Sequence, residues 1–191
     1  MTRSPEAVRK MVLWTAWPLI ALGILALILA LPMWIFYSVI LTPDILVDMR
    51  RDPALAAFPA EIWALVASMP LLLEITMVTA LLTMVIAIGV LTRKLWGYYG
   101  LLACFWLGVP ANVAGIFWHW VFVDRIHPSM AAMMEQLSLP AFLLDYWTVQ
   151  LSGVTFGLVF AVGFGWSAWQ WQHADVKSYF SDTTPSSGPK P

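Results

Sequence analysis

Four long stretches of the chain are apolar and almost free of charge. Val12 to Leu41 contains no Asp, Glu, Lys or Arg, and Ile62 to Thr92 contains only Glu74. Leu95 to Val123 has none, although it includes His119, and Ala141 to His173 has only Asp145. Each stretch exceeds the roughly 20 residues an α-helix needs to cross the hydrocarbon core. The pattern therefore predicts transmembrane helices at about 12–41, 62–92, 95–123 and 141–172. Membrane β-strands alternate apolar and polar residues over about ten positions, which these continuous runs do not. The expected fold is all-α: an integral membrane four-helix bundle. Arg3, Arg9 and Lys10 precede the first run in the manner of a signal peptide, but the run is too long for one and reads as a retained helix.

The connections differ in length. "TRK", residues 92–94, is so short that the second and third helices must form an antiparallel hairpin. Residues 42–61 and 124–140 are longer, mix apolar with charged residues and are punctuated by proline. They read as two short interfacial segments on the outer side. In the second, Pro128 suits the first turn of a short helix with Met130, Met133, Met134 and Leu137 on one face. Residues 174–191 read as a disordered tail after a short N-terminal tail (1–11) and the helical domain (12–173).

Helical spacing of three and four sorts the faces. Gly97, Gly100, Cys104, Gly108, Ala111 and Gly115 form one small-residue stripe on the third helix, with Asn112 and His119 beside it. Gly153, Gly157 and Ala161 form a second on the fourth, one turn after Gln150. Small residues let helix backbones approach in lipid, where packing replaces the hydrophobic drive. The third helix is thus expected to be the most enclosed. Asp145, Thr148, Ser152 and Thr155 make a separate polar stripe. On the second helix Ser68, Thr76, Thr79 and Thr83 cluster together, and Glu74 falls opposite them.

Composition agrees with a membrane setting. Of 191 residues, 61% are hydrophobic and 11% charged, against roughly 25% charged in soluble domains. Most of the 12 tryptophans lie near helix ends, as interfacial anchors do. Lys and Arg number seven across the two tails and the "TRK" connection and three on the other side, which places both termini in the cytoplasm. Compact loops fit a bacterial inner (plasma) membrane. A net charge of −1 without basic runs argues against nucleic acid as a partner, and the lone Cys104 leaves no disulfide framework.

Candidate chemistry centres on Glu74, since ionisable groups inside membranes tend to mark pathways and binding sites. With Asn112, His119, Asp145, Thr148 and Ser152 it outlines a ligand or proton site in which polarity runs inward from the outer face. The plainer alternative is a neutral acid hydrogen-bonded to a neighbouring helix, through Asn112. His127 with the methionines after Pro128 has the ligand softness of a Cu(I) site, but methionines at helical spacing more often form an apolar face. The histidines at 119, 127 and 173 do not share a depth suited to haem. No metal, cofactor or catalytic arrangement is assigned.

Three roles remain, in this order. The first is a non-catalytic accessory or assembly subunit, packing through the small-residue faces against partner membrane subunits or its own copies. The second is a binder or transporter of a small apolar or protonatable ligand in an outward-opening pocket around Glu74. The third is a membrane enzyme or redox-complex subunit acting on a lipid or quinone.

Overall fold

The computed structural model describes residues 4–52, 55, 60–136 and 145–181, with backbone only at 129 and 131–136. Among them six α-helices follow one another: α1 (Pro5–Ile35), α2 (Pro43–Arg51), α3 (Ala60–Leu91), α4 (Leu95–Gln136), α5 (Tyr146–Trp171) and α6 (Ala174–Ser181). A π-helical turn, Phe36–Ile40, extends α1. Four helical segments are long and apolar enough to cross a bilayer: Pro5–Ile40, Ala60–Leu91, Leu95–Pro128 and Tyr146–Trp171. This is the makeup of a multi-pass membrane protein.

Local chemistry sets the ends. Ser4 caps α1 by accepting from the Ala7 amide at 3.3 Å, and Pro5 occupies the first helical position, where no N–H is needed. Asp44 at the start of α2 and Arg50 and Arg51 at its end complement the helix dipole. Asp145 caps α5, its Oδ2 accepting from the Thr148 amide and hydroxyl, each at 3.0 Å. The α3–α4 connection closes with Arg93 in the left-handed region (φ 55°), Arg93 N donating to Val90 O at 3.1 Å and Lys94 N to Gly89 O at 2.8 Å. That is the two-bond helix terminus usually completed by glycine. Here the Arg93 guanidinium lies 4.3 Å from the centre of the Tyr179 ring on α6, a cation–π contact that offsets the backbone strain.

Packing runs in a row: α1 on α3, α3 on α4, α4 on α5. The core lies at the end that carries both chain termini. Val8, Val12 and Ala16 of α1 meet Ile86, Ala87 and Val90 of α3, then Tyr98, Leu101 and Phe105 of α4 and Ala168 and Trp171 of α5. Tyr98 donates to Trp171 O at 3.0 Å, so its buried hydroxyl is satisfied. Toward the far end α3 and α4 separate. Leu72 and Ile75 of α3 and Trp118 of α4 are exposed there, and Ala111 and Gly115 are exposed too. The arrangement is two packed pairs, α1–α3 and α4–α5, joined at one end, rather than an evenly closed bundle.

Three expectations need correction. The third apolar stretch does not stop at Val123 and restart at Pro128, because α4 runs unbroken through both for 42 residues. At 1.5 Å per residue it is about 63 Å long, twice the hydrocarbon thickness. Residues 174–181 are not a loose tail: they form α6, with Val176 and Phe180 in the core. The third apolar helix is not enclosed along its length: Tyr98, Leu101 and Phe105 are buried near its start and Val123 near its end, while Ala111 and Gly115 between them are exposed. The side chains of Met133 and Met134, all of Leu137, the first residues of the fourth apolar stretch (141–144) and the tail beyond Ser181 lie outside the described residues.

Candidate functional site

Glu74 sits in the middle of α3 and its carboxylate Oε1 accepts a hydrogen bond from Trp34 Nε1 of α1 at 3.0 Å. The partner is thus an indole on the preceding helix. Asn112 donates instead to Gly108 O on its own helix at 2.7 Å. Glu74 and Asn112, grouped by depth in the sequence, bond to different elements.

Next to this pair the chain builds a pocket of about 390 Å³. One wall is the π-helical turn with Tyr37 and Ser38; a second is α2, with Leu46, Val47 and Arg50; the third is α3, with Trp63, Ala67 and Pro70. The elements converge for identifiable reasons. Pro32 in α1 cannot donate to the Ile28 carbonyl, which loosens the helix just before it widens at Phe36. Pro43 then starts α2 after a sharp turn, and amphipathic α2 lays its apolar side over the opening. The Arg50 guanidinium lies 5.6 Å from the centre of the Trp63 ring, a contact between α2 and α3. Pro70 on the wall is one turn before Glu74, and Tyr37 and Ser38 follow Trp34 by one turn. The hydrogen-bonded acid therefore lies one helical turn from the pocket on both of its membrane walls.

Of the other predicted site residues only His119 of α4 reaches across to α5, whereas Asp145, Thr148 and Ser152 are exposed on α5 and bond within it. Val149 O accepts from His119 Nε2 at 3.1 Å and from Ser152 Oγ at 2.8 Å, so these two meet at one carbonyl. Asp145 and Thr148 are joined in the helix cap. A further polar chain lies beside them. Gln150, completely buried, donates from Nε2 to Trp120 O and to the Tyr146 hydroxyl, each at 3.3 Å, and Tyr146 donates to Asp124. The Gln150 Oε1 has no partner among the described residues.

The small-residue stripes divide by neighbour. A side chain at Gly97 would strike the α3 backbone at Gly89 and Val90, and one at Gly100 would meet Ile86 at 3.1 Å. Gly108 faces the Phe164 ring of α5, while Gly115 has open space around it. Cys104 packs at the margin of the core. On α5, Gly153 makes room for the His119 ring, Gly157 for Ile116, and Ala161 is buried.

Sequence reasoning missed Trp34 as the partner of the acid, and Tyr37, Trp63 and Arg50 as walls of the pocket a turn away. For the three aromatics the signal was only their place near the first outer connection, where anchoring in the interface explains them equally well, and for Arg50 there was none beyond its charge. Comparison with protein-family models, curated proteins and solved structures finds no match.

Proposed function

We propose that this chain is a multi-pass membrane protein that binds a small apolar molecule carrying a hydrogen-bond donor or a protonatable amine, in the pocket beneath α2. The observation that carries this reading is the position of the Glu74–Trp34 pair one turn below a cavity walled by Tyr37, Trp63, Ala67 and Pro70. Ligand sites are concave, mostly apolar and orient their contents with few polar groups. An acid inside the hydrocarbon region supplies such a group at high cost unless it is used. α2 acts as the cover, with Arg50 held beside Trp63 at the mouth, and Glu74 is the acid a donor or amine on the ligand would meet. The excess of Lys and Arg on the side of the termini supports cytoplasmic termini, and with that orientation the pocket opens outward.

An assembly role is the second reading. The exposed strip of α4 at Ala111 and Gly115 favours it, since small residues are what a partner helix packs against.

The binding reading is tested by thermal-shift and fluorescence titration of the purified chain with lipophilic amines of graded length. Protection is expected in the parent protein. Glu74→Leu should weaken it at least about tenfold, the loss of one charge-assisted hydrogen bond, and Glu74→Gln should weaken it less. Equal protection in all three proteins would remove Glu74 from the site, and none in any would remove the pocket.

A further inference from the structure

A second cavity, of about 420 Å³, opens on the other face of α3. Glu61, Ala64, Leu65 and Ser68 of α3 form one wall, and Trp118, Val121, Phe122 and Arg125 of α4 form the other. We infer that this cleft holds a single phospholipid whose headgroup carries a primary amine beside its phosphate.

The charges argue for the headgroup. Glu61 and Arg125 line the same space from opposite walls, yet among the described residues no ion pair joins them. Two opposite charges that face one cavity without closing on each other suit a ligand that carries both signs at short separation. A guanidinium fork matches phosphate oxygens in two parallel hydrogen bonds. A carboxylate accepts hydrogen bonds from a primary ammonium, which a quaternary ammonium cannot donate. Glu61 therefore favours an ethanolamine-type headgroup over a choline, and over an anionic headgroup it would repel. Both charges lie at the right level: Glu61 is the second residue of α3, and Arg125 lies close to the end of the third apolar segment, Leu95–Pro128. Trp118, 72% exposed, sits beside them as an interfacial indole does.

The walls below the charges argue for an acyl chain. α3 continues with Leu72 and Ile75 at helical spacing after Ser68, and α4 continues inward from Trp118 with Gly115 and Ala111, all four exposed. A methyl group added at Gly115 would find nothing within 4 Å. The cleft thus narrows into an apolar slot open to the bilayer, closed at the termini end where Ile86 packs on Gly100. This site is independent of the pocket beneath α2, which uses the face of α3 bearing Trp63, Ala67 and Pro70.

The test uses the full chain in nanodiscs holding equal amounts of phosphatidylethanolamine, phosphatidylglycerol and phosphatidylcholine. After mild detergent release, native mass spectrometry counts the retained lipids. One phosphatidylethanolamine per chain is expected, favoured about tenfold over the other two. Glu61→Gln should erase the preference while leaving one lipid bound, and Arg125→Gln should lower retention of every phospholipid. Arg125→Lys, which keeps the charge but loses the fork, should fall between and guards against misfolding of the first variant. Lipid ratios identical in the parent and Glu61→Gln proteins, or retention insensitive to Arg125, would overturn the inference.

Discussion

Glycines that look equivalent in the sequence have different tasks in the structure. At Gly97 an added Cβ would lie 2.5 Å from the Val90 nitrogen and 2.8 Å from Gly89 Cα. Those are backbone atoms, which cannot swing aside, so Gly97→Ala must push α4 away from α3. A loss of about 1–3 kcal/mol is expected, the usual cost of overfilling a packed contact. Gly115→Ala meets open space and replaces a poor helix former, so it should be neutral or stabilising by up to about 1 kcal/mol. Detergent melting curves of the two variants check this, and equal losses would contradict the divergence of α3 and α4. Spacing alone revealed that both glycines share a stripe. It carried no information on which neighbour each meets, because that depends on where two helices cross. The same limit applies to Glu74. Its isolation on its own helix was legible, whereas its bond to Trp34 depends on how α1 and α3 are aligned.

Among the elements, the four apolar segments were readable because length and lack of charge decide them without reference to anything else. α6 was not. "ADVKSYFS" has two buried apolar residues one turn apart, Val176 and Phe180, in an octet that also holds Asp, Lys and two Ser and is too short to hold a helix in water. It is helical because those two residues fit against Tyr98, Trp171 and Val8. The Phe180 ring lies 5.3 Å from that of Tyr98 and 6.0 Å from that of Trp171. Phe180→Ala should therefore cost about 3–5 kcal/mol of stability and expose residues 174–181 to protease, while Ser178→Ala should do neither. Limited proteolysis with mass mapping separates the two outcomes. The run of α4 through Pro128 was hidden for the opposite reason. A proline reads as a helix start, yet inside a helix it forfeits chiefly one bond, here to the Asp124 carbonyl. The many bonds on either side carry the helix past it.

At the scale of the molecule, the buried core at the termini end and the open cleft at the far end make two pairs of helices hinged on the α3–α4 connection. The buried contacts of Ile86, Ala87 and Val90 with Tyr98 and Leu101 hold one end, whereas Glu61 and Arg125 face each other across a cavity at the other. Interfaces with few buried apolar contacts open at low free energy. Separation at the far end should accordingly vary more than at the hinge. Spin labels placed by Ala64→Cys with Val121→Cys, in a Cys104→Ala background, should give a broad distance distribution in detergent. A pair at the hinge, Leu91→Cys with Trp96→Cys, should give a narrow one under the same conditions. Adding phosphatidylethanolamine should narrow the far-end distribution and leave the hinge unchanged, because a ligand that bridges Glu61 and Arg125 binds only the states in which they are suitably spaced. A far-end distribution as narrow as the hinge's in lipid-free detergent would mean that the cleft is a rigid groove. A broad one unmoved by lipid would mean that nothing spans its two charges.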